Sequence, residues 1–156
     1  MKFKKPTYSK LDALFASPTE PMPKQLRESQ LTRMYTGLAS IERDATPTTD
    51  DWRILSDCVN LMESLVDMGY IQDEQGLIMD AINALGKAGS RNLKGHPIRL
   101  DAAGIVAVRG VLEDYAMCIE SLPHRVMVEC HRRTEKRIRE ILAGKKKPHD
   151  VEVMSC

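Results

Sequence analysis

A chain of 156 residues with 42% hydrophobic and 29% charged side chains is long enough to bury one core and too apolar to be disordered throughout. It has no run of about 18 apolar residues, and no apolar segment follows the basic start at residues 1–10, so neither a membrane-spanning helix nor a secretory signal is predicted. The net charge of +1 conceals a segregation: residues 1–10 carry +4, residues 11–124 carry −7, residues 125–147 carry +6 and residues 148–156 carry −2. Regional charge, not the total, is what a partner senses.

Residues 1–23 hold Pro6, Pro18, Pro21 and Pro23, a spacing that forbids a long helix and predicts an extended arm. Within it Leu11, Leu14 and Phe15 fit one short helical turn that docks on the rest. Residues 24–144 read as a single domain. The first helix is predicted over residues 24–44, with Leu31, Met34, Tyr35, Leu38 and Ile41 at helical spacing. Thr46-Pro47-Thr48-Thr49 interrupts it, and Thr49 is expected to cap the next helix, with Asp50 and Asp51 on its positive N-terminal dipole. There Trp52, Leu55, Val59, Met62 and Val66 form an alternating three-four seam that Gly69 ends.

A third helix is expected over residues 73–88, closed by Gly89, followed by a loop over residues 90–100 with Ile98–Leu100 briefly extended. Asp101 is placed as the cap of a fourth helix, whose seam is Ile105, Val108, Leu112, Tyr115, Ile119 and Leu122. Pro123 either starts a fifth helix or kinks a continuous one, and Gly144 marks its end. The fold class predicted is all-α: an antiparallel bundle of about five helices with an extended proline-rich N-terminal arm and a basic, then acidic, tail over residues 145–156. The seams close equally well within one chain or across a homodimer.

The last helix carries the strongest functional signal. At about 100° per residue, Val126, Met127, Cys130, Thr134, Ile138, Ile141 and Leu142 share one arc, the expected buried face. Arg125, Arg132, Lys136 and Arg139 fall together on the opposite side, Arg133 and Arg137 flank the apolar stripe, and Lys145, Lys146 and Lys147 follow Gly144. Such a row of cations on a rigid rod suits a phosphate backbone, so Arg125, Arg132, Arg133, Lys136, Arg139 and Lys145–Lys147 are the candidate nucleic-acid contacts. A solvated face accounts for the same residues. The lack of interleaved aromatics counts against single-strand stacking.

Nine carboxylates between Asp44 and Asp80 are opposed only by Arg53. Asp57, Glu63, Asp67, Asp73 and Glu74, on the second and third predicted helices, are the alternative site, a surface for a basic host protein. The blander reading is that they meet the chain's own basic helix or keep it soluble. Arg91, Lys94, His96 and Arg99 in the 90–100 loop fit a phosphate contact or an ordinary connector. Cys118, His124, Cys130 and His131 are spaced by six, six and one, not by the paired gaps of a zinc site, so no metal or cofactor is expected. The four cysteines, Cys156 among them, read as reduced thiols of a cytoplasmic protein. No residue has sequence support as a nucleophile or general base, which argues against an enzyme.

The segments LTRMYTGLASIER, DWRILSDCVNLMESL and HRRTEKRIREILAG resemble small uncharacterised proteins carried by phages and prophages of Gram-negative bacteria. The resemblance spans residues 31–153. It implies work in a bacterial cytoplasm, by binding nucleic acid or disabling a host protein, and assigns no site residue.

Overall fold

The computed structural model describes residues 5–144; the predicted contacts Lys145, Lys146 and Lys147 lie outside the described residues. The described chain is all-helical, with six helices where five are predicted: α1 (Lys10–Phe15), α2 (Lys24–Arg43), α3 (Thr49–Asp67), α4 (Leu77–Leu93), α5 (Ala102–Ser121) and α6 (His124–Leu142).

Helix α3 is the axis of the fold and packs against α2, α4, α5 and α6. Its seam Leu55, Val59 and Met62 is buried as the spacing requires, but Ser56, Asn60 and Ser64 are also fully buried. They recur every four residues and give α3 a second, polar buried stripe that a narrow apolar seam does not predict. Ser64 Oγ meets Thr134 Oγ1 of α6 at 2.6 Å, and Cys130 Sγ donates to the carbonyl of Leu61 at 3.2 Å. Hydroxyl pairing across the two helices satisfies groups that would otherwise be costly to bury.

Several boundaries differ from the sequence reading, each for a local reason. Thr48, not Thr49, caps α3. Its Oγ1 accepts from the Asp51 N–H at 3.2 Å, while the Asp51 carboxylate accepts from the Thr48 N–H at 3.1 Å, a reciprocal capping box. Helix α4 starts at Leu77, four residues late, because Gly76 before it is left-handed at φ +68°, and the Asp73 carboxylate accepts from the Ile78 N–H at 3.2 Å. It then runs on through Gly89 to Leu93. Gly89 serves close packing rather than a turn: a Cβ there would lie 3.0 Å from the Trp52 ring, whose Nε1 donates to the Leu85 carbonyl at 2.9 Å.

The connector after α4 is correspondingly shorter. No strand forms among the described residues, yet Ile98 and Leu100 are buried in the main core. Asp101 caps α5 as expected, accepting from the Gly104 N–H at 2.6 Å. Val108, Leu112, Tyr115 and Ile119 of its seam are buried.

The added helix, α1, lies within the proline-rich segment. Ser9 and Asp12 close a capping box at its start. Its docking side is the reverse of the one expected. Ala13 and Ala16 are buried in a small cluster with Val128 of α6, whereas Leu11, Leu14 and Phe15 face outward. Alanine allows the two backbones to approach closely, within reach of the Arg125 side chain.

Candidate nucleic-acid interface

Helix α6 buries the arc its sequence predicts. Met127, Cys130, Thr134, Ile138 and Ile141 are buried; Val126 and Leu142 are partly so. It also buries Val128 on a second side, against α1. The helix is therefore flanked by α3 on one side and by α1 on another, and the outward cationic row is narrower than the sequence suggests.

Arg125 is the residue most affected. Its Nε donates to the carbonyls of Ala13 at 3.0 Å and Ala16 at 3.2 Å, and its Nη2 to the carbonyl of Leu14 at 2.7 Å. A guanidinium at the C-terminal end of α1 satisfies carbonyls left without helical partners and meets the negative end of the helix dipole. The exchange is mutual: the Arg125 N–H donates to Ser17 O at 2.9 Å and the His124 N–H to Glu20 O at 2.8 Å, so the segment after α1 caps the start of α6. Arg125 is committed to holding the fold, not to an outside phosphate.

Arg132 pairs with Glu129 at 3.2 Å and Arg139 with Glu135 at 3.7 Å, each glutamate on the same helix. Glu129 stands four residues before Arg133, the usual spacing of a helical ion pair, but bonds Arg132, one residue nearer, instead. Glu135 also accepts from the Thr7 N–H at 3.0 Å, which fastens the chain leading into α1. Arg133 and Lys136 are exposed, and neither forms an ion pair among the described residues. The outer edge of α6 therefore keeps two unpaired cations between two that are held by same-helix pairs. Such half-exposed pairs contribute about 0.3–0.5 kcal/mol and a phosphate can displace them.

The acidic alternative is more deeply engaged. Arg137 bridges Glu63 at 3.1 Å and Asp67 at 3.3 Å, joining α6 to α3. Arg137 and Glu63 are 13% and 17% exposed, so this pair is structural rather than displayed. Asp73 is used at the start of α4, and Asp57 also has a partner. Glu74 remains exposed, and Asp67 half-exposed. The oppositely charged surfaces do meet, but through Arg137, which lies at the edge of the basic row.

The loop cations divide likewise. Arg91 Nη2 donates to the Arg99 carbonyl at 2.8 Å, and Arg99 reaches the carbonyls of Ile41 at 3.3 Å and of Asp44, tying the loop to the end of α2. Lys94 and His96 stay exposed.

No protein-family model, curated protein or solved structure matches this chain. Among the described residues no three His, Cys, Asp or Glu side chains gather closely enough to hold a metal ion, and no helix is long and apolar enough to cross a membrane. Cys130 is a core thiol that burial pushes up to about 12, and burial does the same to Cys58. His131 has a buried Nε2 with no hydrogen-bond partner among the described residues; burial lowers it to about 4, and its ring meets Tyr8 edge-on at 5.3 Å.

Two features of this region escape the sequence reading: the side by which α1 docks, against α6, and the engagement of Arg125. One signal was present. Val128 is an apolar residue at the edge of the basic arc, beside Arg139 in angle, and a lone apolar side chain there marks where another element packs.

Proposed function

We propose that this chain is a non-enzymatic, antiparallel helical bundle that binds nucleic acid through the outer edge of α6, by its phosphates and with little sequence preference. Arg133 and Lys136 are the leading contacts, with Arg132 and Arg139 joining by exchanging their glutamates for phosphate. Lys145–Lys147, adjacent in sequence, add attraction in the same reading, and Arg125 supports the site by fixing α1.

The observation that carries this reading is the exposure of Arg133 and Lys136 without an ion pair, on a helix whose neighbouring cations are only weakly held. From Arg132 to Arg139 the helix rises about 10 Å, roughly three base-pair steps of duplex. The acidic reading has less support, because Glu63, Asp67 and Asp73 already bond within the fold. The resemblance to phage-borne proteins is compatible with such a role in a bacterial cytoplasm.

Fluorescence-anisotropy titration with labelled duplex and single-stranded DNA, at low and at moderate salt, tests the proposal. Binding that weakens steeply with salt supports it. No binding of either nucleic acid at low salt removes it.

A further inference from the structure

Two faces of the fold play no part in that reading. One is the outward side of α1, where Leu11, Leu14 and Phe15 are 61%, 64% and 85% exposed. Single exposed apolar residues are ordinary, but three on one side of a six-residue helix, with alanines turned inward, make a continuous ridge. Lys5 and Lys10 are exposed at the start of this segment, and the carboxylate of Asp12 is occupied in the capping box.

The other lies on α2, beside α5. A shallow valley of about 600 Å³ is lined by α2 alone, with Leu31, Tyr35 and Ala39 among its residues and Glu28, which pairs with Lys24 at 3.8 Å, beside them. The neighbouring helix α5, packed against α2, bears exposed Glu113 and Glu120, whose charges add to partial burial in raising the Tyr35 phenol above its ordinary value. Met117, 67% exposed, lies on the same face of α5 between those glutamates by helical spacing.

The ridge is apolar with cations beside it; the valley is apolar with carboxylates beside it. Arg125 fixes α1 on α6, so the ridge stays turned outward. We infer that the occupant of the valley is a second copy of this chain, the α1 ridge of one copy seating on the outer face of α2, alongside the α5 glutamates, of the next. Ridge and valley are different surfaces, so the contact is heterologous, and each copy keeps one of each free for further copies. Three side chains bury little area, which places the contact among weak, concentration-dependent associations.

Sedimentation velocity of the full-length chain, without nucleic acid and across a concentration series, tests the inference independently of the polyanion reading. The weight-average sedimentation coefficient of the unaltered protein rises with concentration. The double variants L11S/F15S and E113K/E120K each remain monomeric. All four positions are exposed, so both variants keep the helical circular dichroism of the parent. An equimolar mixture of the two variants regains association, because one retains the valley and the other the ridge. A parent that sediments as a monomer at every concentration overturns the inference. Association that survives either double variant, or a mixture that stays monomeric, overturns it as well.

Discussion

The guanidinium of Arg125 donates to the carbonyl of Leu14 across 111 positions of sequence, at 2.7 Å. A side chain that looks like a surface cation thereby becomes the clasp between the first and last helices.

Replacing Arg125 with Ala is expected to free α1. Hydrogen bonds from a charged donor to backbone carbonyls are each worth about 1.5–3 kcal/mol, so α1 should lose its fixed seat while the main core, which excludes Ala13, Ala16 and Val128, persists. Limited proteolysis followed by mass spectrometry should show new cleavage within residues 7–20, and the thermal midpoint should fall by only a few degrees. Unchanged protection of that segment would contradict the role given to Arg125.

Acid should act through His131. Its folded value, about 4, lies below its ordinary 6.5, mainly because burial disfavours the charged ring, with nearby His124 adding to the effect and Glu135 opposing it. Between those values the unfolded chain holds more protons than the folded one, so stability falls as pH drops from about 6.5 towards 4. The upper bound is about 3 kcal/mol. Above 6.5 this residue gives no pH dependence. Urea unfolding from pH 4 to 7.5 should show the slope, and His131→Phe should flatten it. As the ring rests on Tyr8, amide exchange over residues 7–16 should speed up first.

The hydroxyl pair between α3 and α6 has a defined polarity. Thr134 Oγ1 donates to the Cys130 carbonyl at 2.8 Å, so its one proton is used and Ser64 must donate to Thr134. Thr134→Val strands a buried Ser64 hydroxyl and is expected to cost about 1–3 kcal/mol. The double variant S64A/T134V should recover most of that loss, since neither polar partner remains. Denaturant midpoints of the three variants and the parent check this; a double variant as weak as the sum of the singles would refute the coupling.

Much of this architecture was legible in the sequence because its signals are local. Helices α2, α3, α5 and α6 announce themselves by three-four apolar spacing, and Asp101, Gly69 and Gly144 by their cap positions. Glycine was the misleading residue type. Gly89 reads as a stop yet sits beneath Trp52, where a Cβ would press on the ring, and the sequence has no means to separate close packing from left-handed backbone.

The α1 cover was not legible for a different reason. Its six residues bury only Ala13, with Ala16 at the cap, so no amphipathic stripe points to the docking side. Likewise the angular reading of α6 located the cations but not the partners of Arg125 and Arg137. Arg137 finds Glu63 some 74 positions away, and nothing in the local pattern ranks that pair above Arg132 with Glu129.

The claim that Arg133 and Lys136 form the heart of a phosphate-binding edge has one direct measurement: the salt dependence of duplex-DNA affinity for the parent and for R133E/K136E, by fluorescence anisotropy. Each phosphate neutralised contributes about 0.9 to the slope of log affinity against log salt. The account predicts that the variant loses most of its low-salt affinity and that its slope is shallower by about 2. Equal affinities and equal slopes for the two proteins would contradict it.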